Sequence, residues 1–227
     1  MFIAFKEIFT LENLLYLLKG TGYSVGIAIL SLFFGLILGI LGSCGKRSKN
    51  IILKGLANIY VEVIRGTPML LQILIIFSVI PSIYTAFSGK IMRMNPYLIG
   101  VVAMFINSGA YQTELIRSGI NAVDKGQTEA CETLGLSKFQ TMKFVILPQA
   151  FKHIVPPMIS ELITLTKDTS LISTIGAVEL LKGAQILGTN YYDVMSPYCI
   201  AAVYYLIITI VISLIGKKIE MGLALSD

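Results

Sequence analysis

The chain is 227 residues long, 55% hydrophobic and only 14% charged, with a mean hydropathy of +0.79. Soluble domains carry roughly 25% charged residues, and surface-to-volume scaling at this length leaves too much surface to cover with so little charge. A soluble globular domain is therefore excluded and a bilayer is the solvent that fits; the net charge of +5 reports membrane orientation instead of nucleic-acid binding.

In chain order, the first 20 residues lack a basic leader region and a small-residue cleavage site, so they are not read as a removable signal peptide. They read as an interfacial amphipathic segment leading into a first span at 21–44. That span carries Gly22, Gly26, Gly35, Gly39 and Gly42, and two pairs have the four-residue spacing that lets helices approach closely. Packing inside the chain is the plainer reading, a dimer face the alternative. The flank Gly42-Ser43-Cys44-Gly45-Lys46-Arg47 looks like a phosphate-binding loop, but Ile40 stands where a glycine is needed and Arg47 where Ser or Thr is needed. No nucleotide site is expected.

A second span is expected at 59–83, where Pro68 follows Gly66-Thr67 and predicts a bend or unwound turn lining a cavity. A third is expected at 95–117. The polar segment 118–152 predicts a helix over 127–134, a left-handed cap at Gly135, and a second helix started by Ser137 and ending before Pro148. A fourth span at 154–178 is interrupted by Glu161, Lys167 and Asp168, and a fifth covers 195–216. Four of these contain charge-free runs (20–45, 66–89, 94–113, 194–216) long enough for the roughly 20 residues a crossing helix needs. The expectation is an all-α integral-membrane protein, a single domain over 1–227 with five transmembrane helices.

Lys and Arg set the orientation. Lys46, Arg47, Lys49, Lys54, Arg117, Lys125, Lys138, Lys143, Lys152, Lys217 and Lys218 lie on one side, against Lys6, Lys19, Lys90, Arg93 and Lys182 on the other. Eleven against five puts the N-terminus outside and segment 118–152 in the cytoplasm. Cys44, Cys131 and Cys199 imply no disulfide framework. His153, the only histidine, has no second His or Cys cluster near it, so no metal site is expected.

Charges inside apolar runs are costly, roughly 2.5–3.5 kcal/mol at mid-bilayer on insertion scales, and mark cavities or partners. Glu62 and Arg65 are three apart and could pair. Asn107, Tyr111 and Glu114 share a stripe, as do Glu161 and Asp168, while Lys167 faces elsewhere.

In the polar segment Glu129-Ala130-Cys131 precedes Gly135, and a nine-residue gap leads to Val145, Ile146, Leu147 and Pro148. This pattern resembles the "EAA loop" of importer-type ABC transporter permeases, with Cys131 and Val145 standing in for the usual Ala and Ile. Tyr60-Val61-Glu62, Arg65-Gly66-Thr67-Pro68, Asn107-Ser108-Gly109-Ala110-Tyr111 and Lys167-Asp168-Thr169-Ser170-Leu171 are similar to the permeases for polar amino acids, of the histidine, glutamine and arginine type. The resemblance implies a MetI-like permease in a bacterial cytoplasmic membrane, paired with a second permease (a second copy favoured over a paralogue). It also implies two separate ATPase subunits that hold ATP and magnesium, and an extracytoplasmic binding protein that delivers the substrate. Glu129, Ala130, Cys131 and Gly135 would then couple to the ATPase, and this chain would carry neither catalytic residues nor a cofactor. Four acids (Glu62, Glu114, Glu161, Asp168) against two bases (Arg65, Lys167) tilt the expected substrate toward cationic or neutral polar amino acids. An ion-coupled secondary transporter is disfavoured by the lack of an inverted repeat. An intramembrane hydrolase is disfavoured because the single histidine lies outside the spans.

Overall fold

The computed structural model describes residues 7–224, and these are almost entirely helical, with no strand among them. Helix α1 spans Leu11–Arg47, started by the Thr10 side chain accepting the Asn13 N–H and ending on Lys46 and Arg47, which suit the negative end of the helix dipole. Its 37 residues make a rod of about 55 Å, longer than a bilayer's hydrocarbon. From Leu11 onward the expected interfacial segment is simply the start of this helix, because Leu14 and Leu17 are held by a cluster with Leu180, Leu187 and Ile200. Residues 1–6, and with them Lys6, lie outside the described residues.

Helix α2 (Ile51–Arg65) starts at Asn50, whose side chain accepts two backbone N–H groups, and α3 (Met69–Ser88) ends on Gly89 at φ 65°. The expected second span is thus two helices separated by Gly66-Thr67-Pro68, at the break that Pro68 foretells. Helix α4 (Pro96–Asn121) begins under an Asn95 cap with proline in its first turn.

The polar segment folds as α5 (Lys125–Thr133) and α6 (Lys138–Thr141), and the helical backbone that α6 begins does not stop before Pro148. A π turn over Met142–Ile146 carries the chain into α7 (Leu147–Asp168), with the Leu147 N–H reaching the Met142 carbonyl. The reason is local: Pro148 has no N–H to lose, and the widened turn places it at the opening of a new α segment, where proline is tolerated. Helix α7 gives way at Thr169–Ile175 to a 3-10 segment, Gly176 turns at φ 90°, and α8 (Leu180–Asn190) runs off at 50°. Sequence patterning foresees neither the end of the helix at Asp168 nor α8. The last helix, α9, is Met195–Ala224.

Among the described residues, three helices are long and apolar enough to cross a membrane (α1, α3 and α9), and the bent unit made of Lys138–Ile175 with α8 is a fourth candidate. Helix α4 is not among them, and its position explains why. It lies against α1, α2, α3 and α7 and buries Asn107, Ser108, Gln112 and Thr113, so its polar groups meet protein and need not be apolar enough for lipid. The α1 glycines serve this contact: a Cβ on Gly35 would come within 2.8 Å of Gln112 Nε2, one on Gly39 within 2.7 Å of Gln112 Cβ, and one on Gly42 would collide with Thr113. Gly22 and Gly26 have nothing near them. The core joining these helices is built on Ile27, Ile73, Ile99, Met104, Leu165 and Ile172.

Candidate functional site

The break between α2 and α3 opens onto a cavity of about 540 Å³ lined by Arg65 to Met69, Asn107, Tyr111, Glu161, Thr164, Leu165 and Asp168. Breaking a helix leaves carbonyls without partners. Here Gln72, buried one turn beyond Pro68, restores them: its Nε2 donates to the Ile64 carbonyl at 2.8 Å, the Thr67 carbonyl at 3.1 Å and the Thr67 hydroxyl at 2.8 Å. Its Oε1 accepts from Asn107 Nδ2 at 3.0 Å, which ties the break to α4.

The remaining wall follows from the Asn107-Ser108-Gly109-Ala110-Tyr111 run. Ser108 Oγ donates to Glu161 Oε1 at 2.9 Å and fixes that carboxylate across from α4. A Cβ on Gly109 would lie 2.7 Å from both Leu38 Cβ and Tyr60 Oη, so glycine permits the approach of α1 and α2. Tyr60 donates to the Ile106 carbonyl at 2.6 Å. The Tyr111 ring carries the Arg65 guanidinium 5.2 Å from its centroid, a stacking suited to a cation on an aromatic face.

Five of the eight residues singled out for the substrate path therefore meet here: Arg65, Asn107, Tyr111, Glu161 and Asp168. Glu62 and Lys167 are exposed and do not line the cavity. Arg65 rests on Tyr111, and the ion pairs among the described residues are Lys46–Glu114 and Arg117–Glu114 instead of Glu62–Arg65. Glu114 is on the Asn107 stripe, but one turn below Tyr111 it is held by Lys46 and by a two-pronged bond from Arg117 at 3.0 and 2.8 Å. The cavity thus presents one guanidinium and two carboxyl groups. It also faces the first turn of α3, whose cap residue Pro68 offers no side-chain acceptor. The amide groups and dipole of an uncapped helix start attract an anion. One pole for a carboxylate and another for an ammonium group is the arrangement a zwitterion requires.

The polar hairpin is a second, separate feature. Asp124 caps α5 through the Gly126 N–H at 2.7 Å. Gly135 sits at φ 76°, with Gly135 N–H on the Glu132 carbonyl and Leu136 N–H on the Cys131 carbonyl, the paired bonds of a Schellman end. Ser137 and Gln140 cap each other's backbone to start α6. Glu129 and Ala130 face outward while Cys131 is buried. Around them Leu134, Phe139 and Phe144 are 77%, 72% and 63% exposed, an apolar crest on a polar hairpin of the sort that marks a docking surface.

Gln72 and Glu179 are among the buried polar residues that escape the sequence reading. Gln72 carries no charge, and its signal was that of a lone amide in an apolar run just past a proline break. Glu179 is fully buried and caps α8, accepting from the Leu181 and Lys182 N–H groups at 2.8 Å and from Tyr205 Oη at 3.0 Å. It was missed because it lies at the far edge of the expected fourth span.

Comparison with known proteins places these features. The family model described as "binding-protein-dependent transport system inner membrane component" matches residues 22–224. A Rickettsia typhi chain assigned as a glutamine transport system permease protein is 40% identical over 208 residues, covering 92% of this chain and 93% of its own length. The arginine transport system permease protein of Bacillus subtilis is 36% identical over 218 residues, covering 96% and 97%. The crystal structure of an amino acid ABC transporter with histidines contains a chain 34% identical, with a TM-score of 0.84, covering 91% of this chain and 94% of that one.

Proposed function

Since the chain belongs to the family of binding-protein-dependent transport system inner membrane components and has its all-helical MetI-like fold, we propose that it forms the membrane path of an ATP-driven amino-acid importer. Its relatives are named for glutamine and arginine transport, and the substrate class proposed is the polar amino acids, cationic ones included. ATP hydrolysis belongs to separate ATPase subunits, which supply the nucleotide and magnesium, and an extracytoplasmic binding protein delivers the substrate. The chain works by alternating access without chemistry on the substrate.

The observation that carries this reading is the cavity at the helix break. Arg65 and the start of α3 would receive the substrate carboxylate, and Glu161 and Asp168 its ammonium or cationic side chain. Half-helix ends and backbone left free by a break are the usual means of binding small ions at membrane depth. In the proposed orientation the N-terminus is outside, α4 serves as a fifth crossing element shielded by its neighbours, and the hairpin lies in the cytoplasm. Glu129, Ala130, Cys131 and Gly135 would hold the ATPase there, with a second permease copy completing the path.

The test is ATP-driven uptake of radiolabelled arginine and glutamine by the complete transporter in vesicles, with unlabelled amino acids as competitors. Polar and cationic amino acids should compete, and Glu161→Gln should cut uptake while leaving ATPase capture intact. Equal competition by leucine and arginine, or undiminished uptake in both Glu161→Gln and Asp168→Asn, would remove the cavity from the path.

A further inference from the structure

A second hollow, unrelated to the cavity at the break, runs between α1, α4 and α7. It has a volume of about 780 Å³ and its wall is almost wholly apolar, with Leu36, Ile40, Ile120 and Val155 facing one another across it. It extends along α1 from Leu32 to Arg47. Those sixteen residues of helix are separated by fifteen rises of 1.5 Å, a span of about 22 Å. One leaflet of a bilayer with its headgroup zone is about the same depth, half of roughly 40–45 Å. The groove is therefore about one leaflet long, which would set its apolar end toward mid-bilayer and its Arg47 end at the headgroup level.

That outer end is charged. Arg47 lines it and is exposed. Beside it, Lys46 and Arg117 both bind Glu114. Three cations against one carboxylate leave an excess of two positive charges, and Glu114 already has both its oxygens engaged. Arg47 has a single neutral partner, Asn121, at 3.2 Å. Next in sequence to its lining residues Leu32, Leu36 and Ile40, α1 exposes Phe33, Ile37 and Leu41, so an exposed apolar face of the helix lies beside the groove. An apolar slot with a cationic mouth at headgroup depth has the complement of one molecule: a phospholipid with an anionic headgroup.

We propose that this groove is a binding site for an anionic phospholipid, one acyl chain lying between α1 and α7 and the phosphate resting on Arg47. The inference goes beyond the transport reading, since it needs only that the chain is in a membrane. It gives α7 a lipid-filled flank on the stretch that leads directly into the π turn and the hairpin.

Cys44 lines the groove and is exposed, Cys131 is buried, and Cys199 is the other exposed thiol. A Cys199→Ser chain in the complete transporter can therefore carry a bimane fluorophore at Cys44 alone. In phosphatidylcholine vesicles, increasing fractions of brominated-chain phosphatidylglycerol should quench it at a mole fraction about fivefold lower than brominated-chain phosphatidylcholine does, as expected for one desolvated cation near the surface. Arg47→Gln should erase that preference, Arg47→Lys should keep most of it, and Asn121→Ala should leave it, which separates the phosphate contact from the structural bond. Val155→Trp should remove the saturable quenching by both lipids. Capture of the ATPase subunit monitors folding in each variant. Equal quenching by the two lipids, a preference that survives Arg47→Gln, or a cross-linker on Cys44 that lands on another protein chain would overturn the proposal, the last by assigning the groove to a partner helix.

Discussion

The cavity at the helix break and the hairpin over 118–152 are both polar islands in an apolar chain, yet their hydrogen bonds run in opposite directions. In the cavity they join distant segments: Gln72 with Asn107, and Ser108 with Glu161. In the hairpin they close on themselves: Asp124 with Gly126, Cys131 with Leu136, Ser137 with Gln140. Longer links are Gln149 to Gln127 at 3.2 Å and, at the root of the segment, Arg47 to Asn121 at 3.2 Å. The cavity therefore exists only when four helices have assembled, whereas the hairpin specifies its own shape and leaves its outer surface for something else. One region is made by the fold, the other is offered by it.

Substitutions can break this contrast. The largest effect is expected at the acids of the cavity. Removing a buried partner of a charged ligand costs roughly 1.5–3 kcal/mol, so Glu161→Gln should reduce amino-acid uptake about tenfold to a hundredfold while ATPase capture is retained. If capture falls in parallel, cavity and hairpin are not separable. Next comes Gln72→Leu, which strands the Ile64 and Thr67 carbonyls at about 1–3 kcal/mol for an unpaired buried group. It should lower the thermal midpoint of the detergent-solubilised chain and uptake together, a joint loss expected only where site and fold are one.

Gly135→Val tests the other region. A branched side chain at φ 76° is strained by about 1–2 kcal/mol. The expected result is roughly tenfold weaker ATPase capture with an unchanged thermal midpoint. Ser137→Ala removes half of the reciprocal cap, worth about 1 kcal/mol at an N-cap, and should weaken capture severalfold, with faster hydrogen exchange confined to α6. The smallest effect is one of pH. The Asp193 carboxyl, outside the spans, accepts from the Ser196 hydroxyl and the Ser196 and Met195 N–H groups, and these bonds hold it below the usual carboxylate range. A depressed carboxyl stabilises the fold above its unfolded value and loses that contribution as pH falls through its folded value. Asp193→Asn should therefore flatten the acid side of the stability profile slightly; a profile that matches wild type throughout would remove the cap from the account.

Why some of this is legible in sequence follows from the same contrast. The hairpin is written in consecutive residues: Gly135 and Ser137 announce their caps by identity alone, and both are found where the pattern puts them. The Pro68 break is equally local. The cavity was visible only as scattered polar residues on separate spans, and spacing along one helix groups Glu114 with Asn107 and Tyr111 without showing that Lys46 and Arg117 hold its carboxylate. What decides Glu114 is Lys46 on another helix, a contact that no periodicity in one segment reveals. Helix α4 carries a charge-free run of span length, while its polar groups are covered by the four helices around it, a setting that hydropathy alone does not reveal. The end of α7 at Asp168 was hidden because no charged residue follows it until Glu179, so the uncharged run continues through the 3-10 segment.

The π turn at Met142–Ile146 has a geometric consequence of its own. An α-helix advances about 100° per residue, so the additional residue held in that turn offsets the azimuth of α6 from that of α7 by about a quarter of a revolution. Phe139 and Phe144 lie on the far side of, or within, that offset, and Pro148 just beyond it keeps the chain from relaxing into one continuous α register. The bearing of the aromatic crest relative to α7 is therefore set by this widened turn, which the Leu147 N–H to Met142 O bond closes. The turn acts as the indexing pin between α7 and the hairpin.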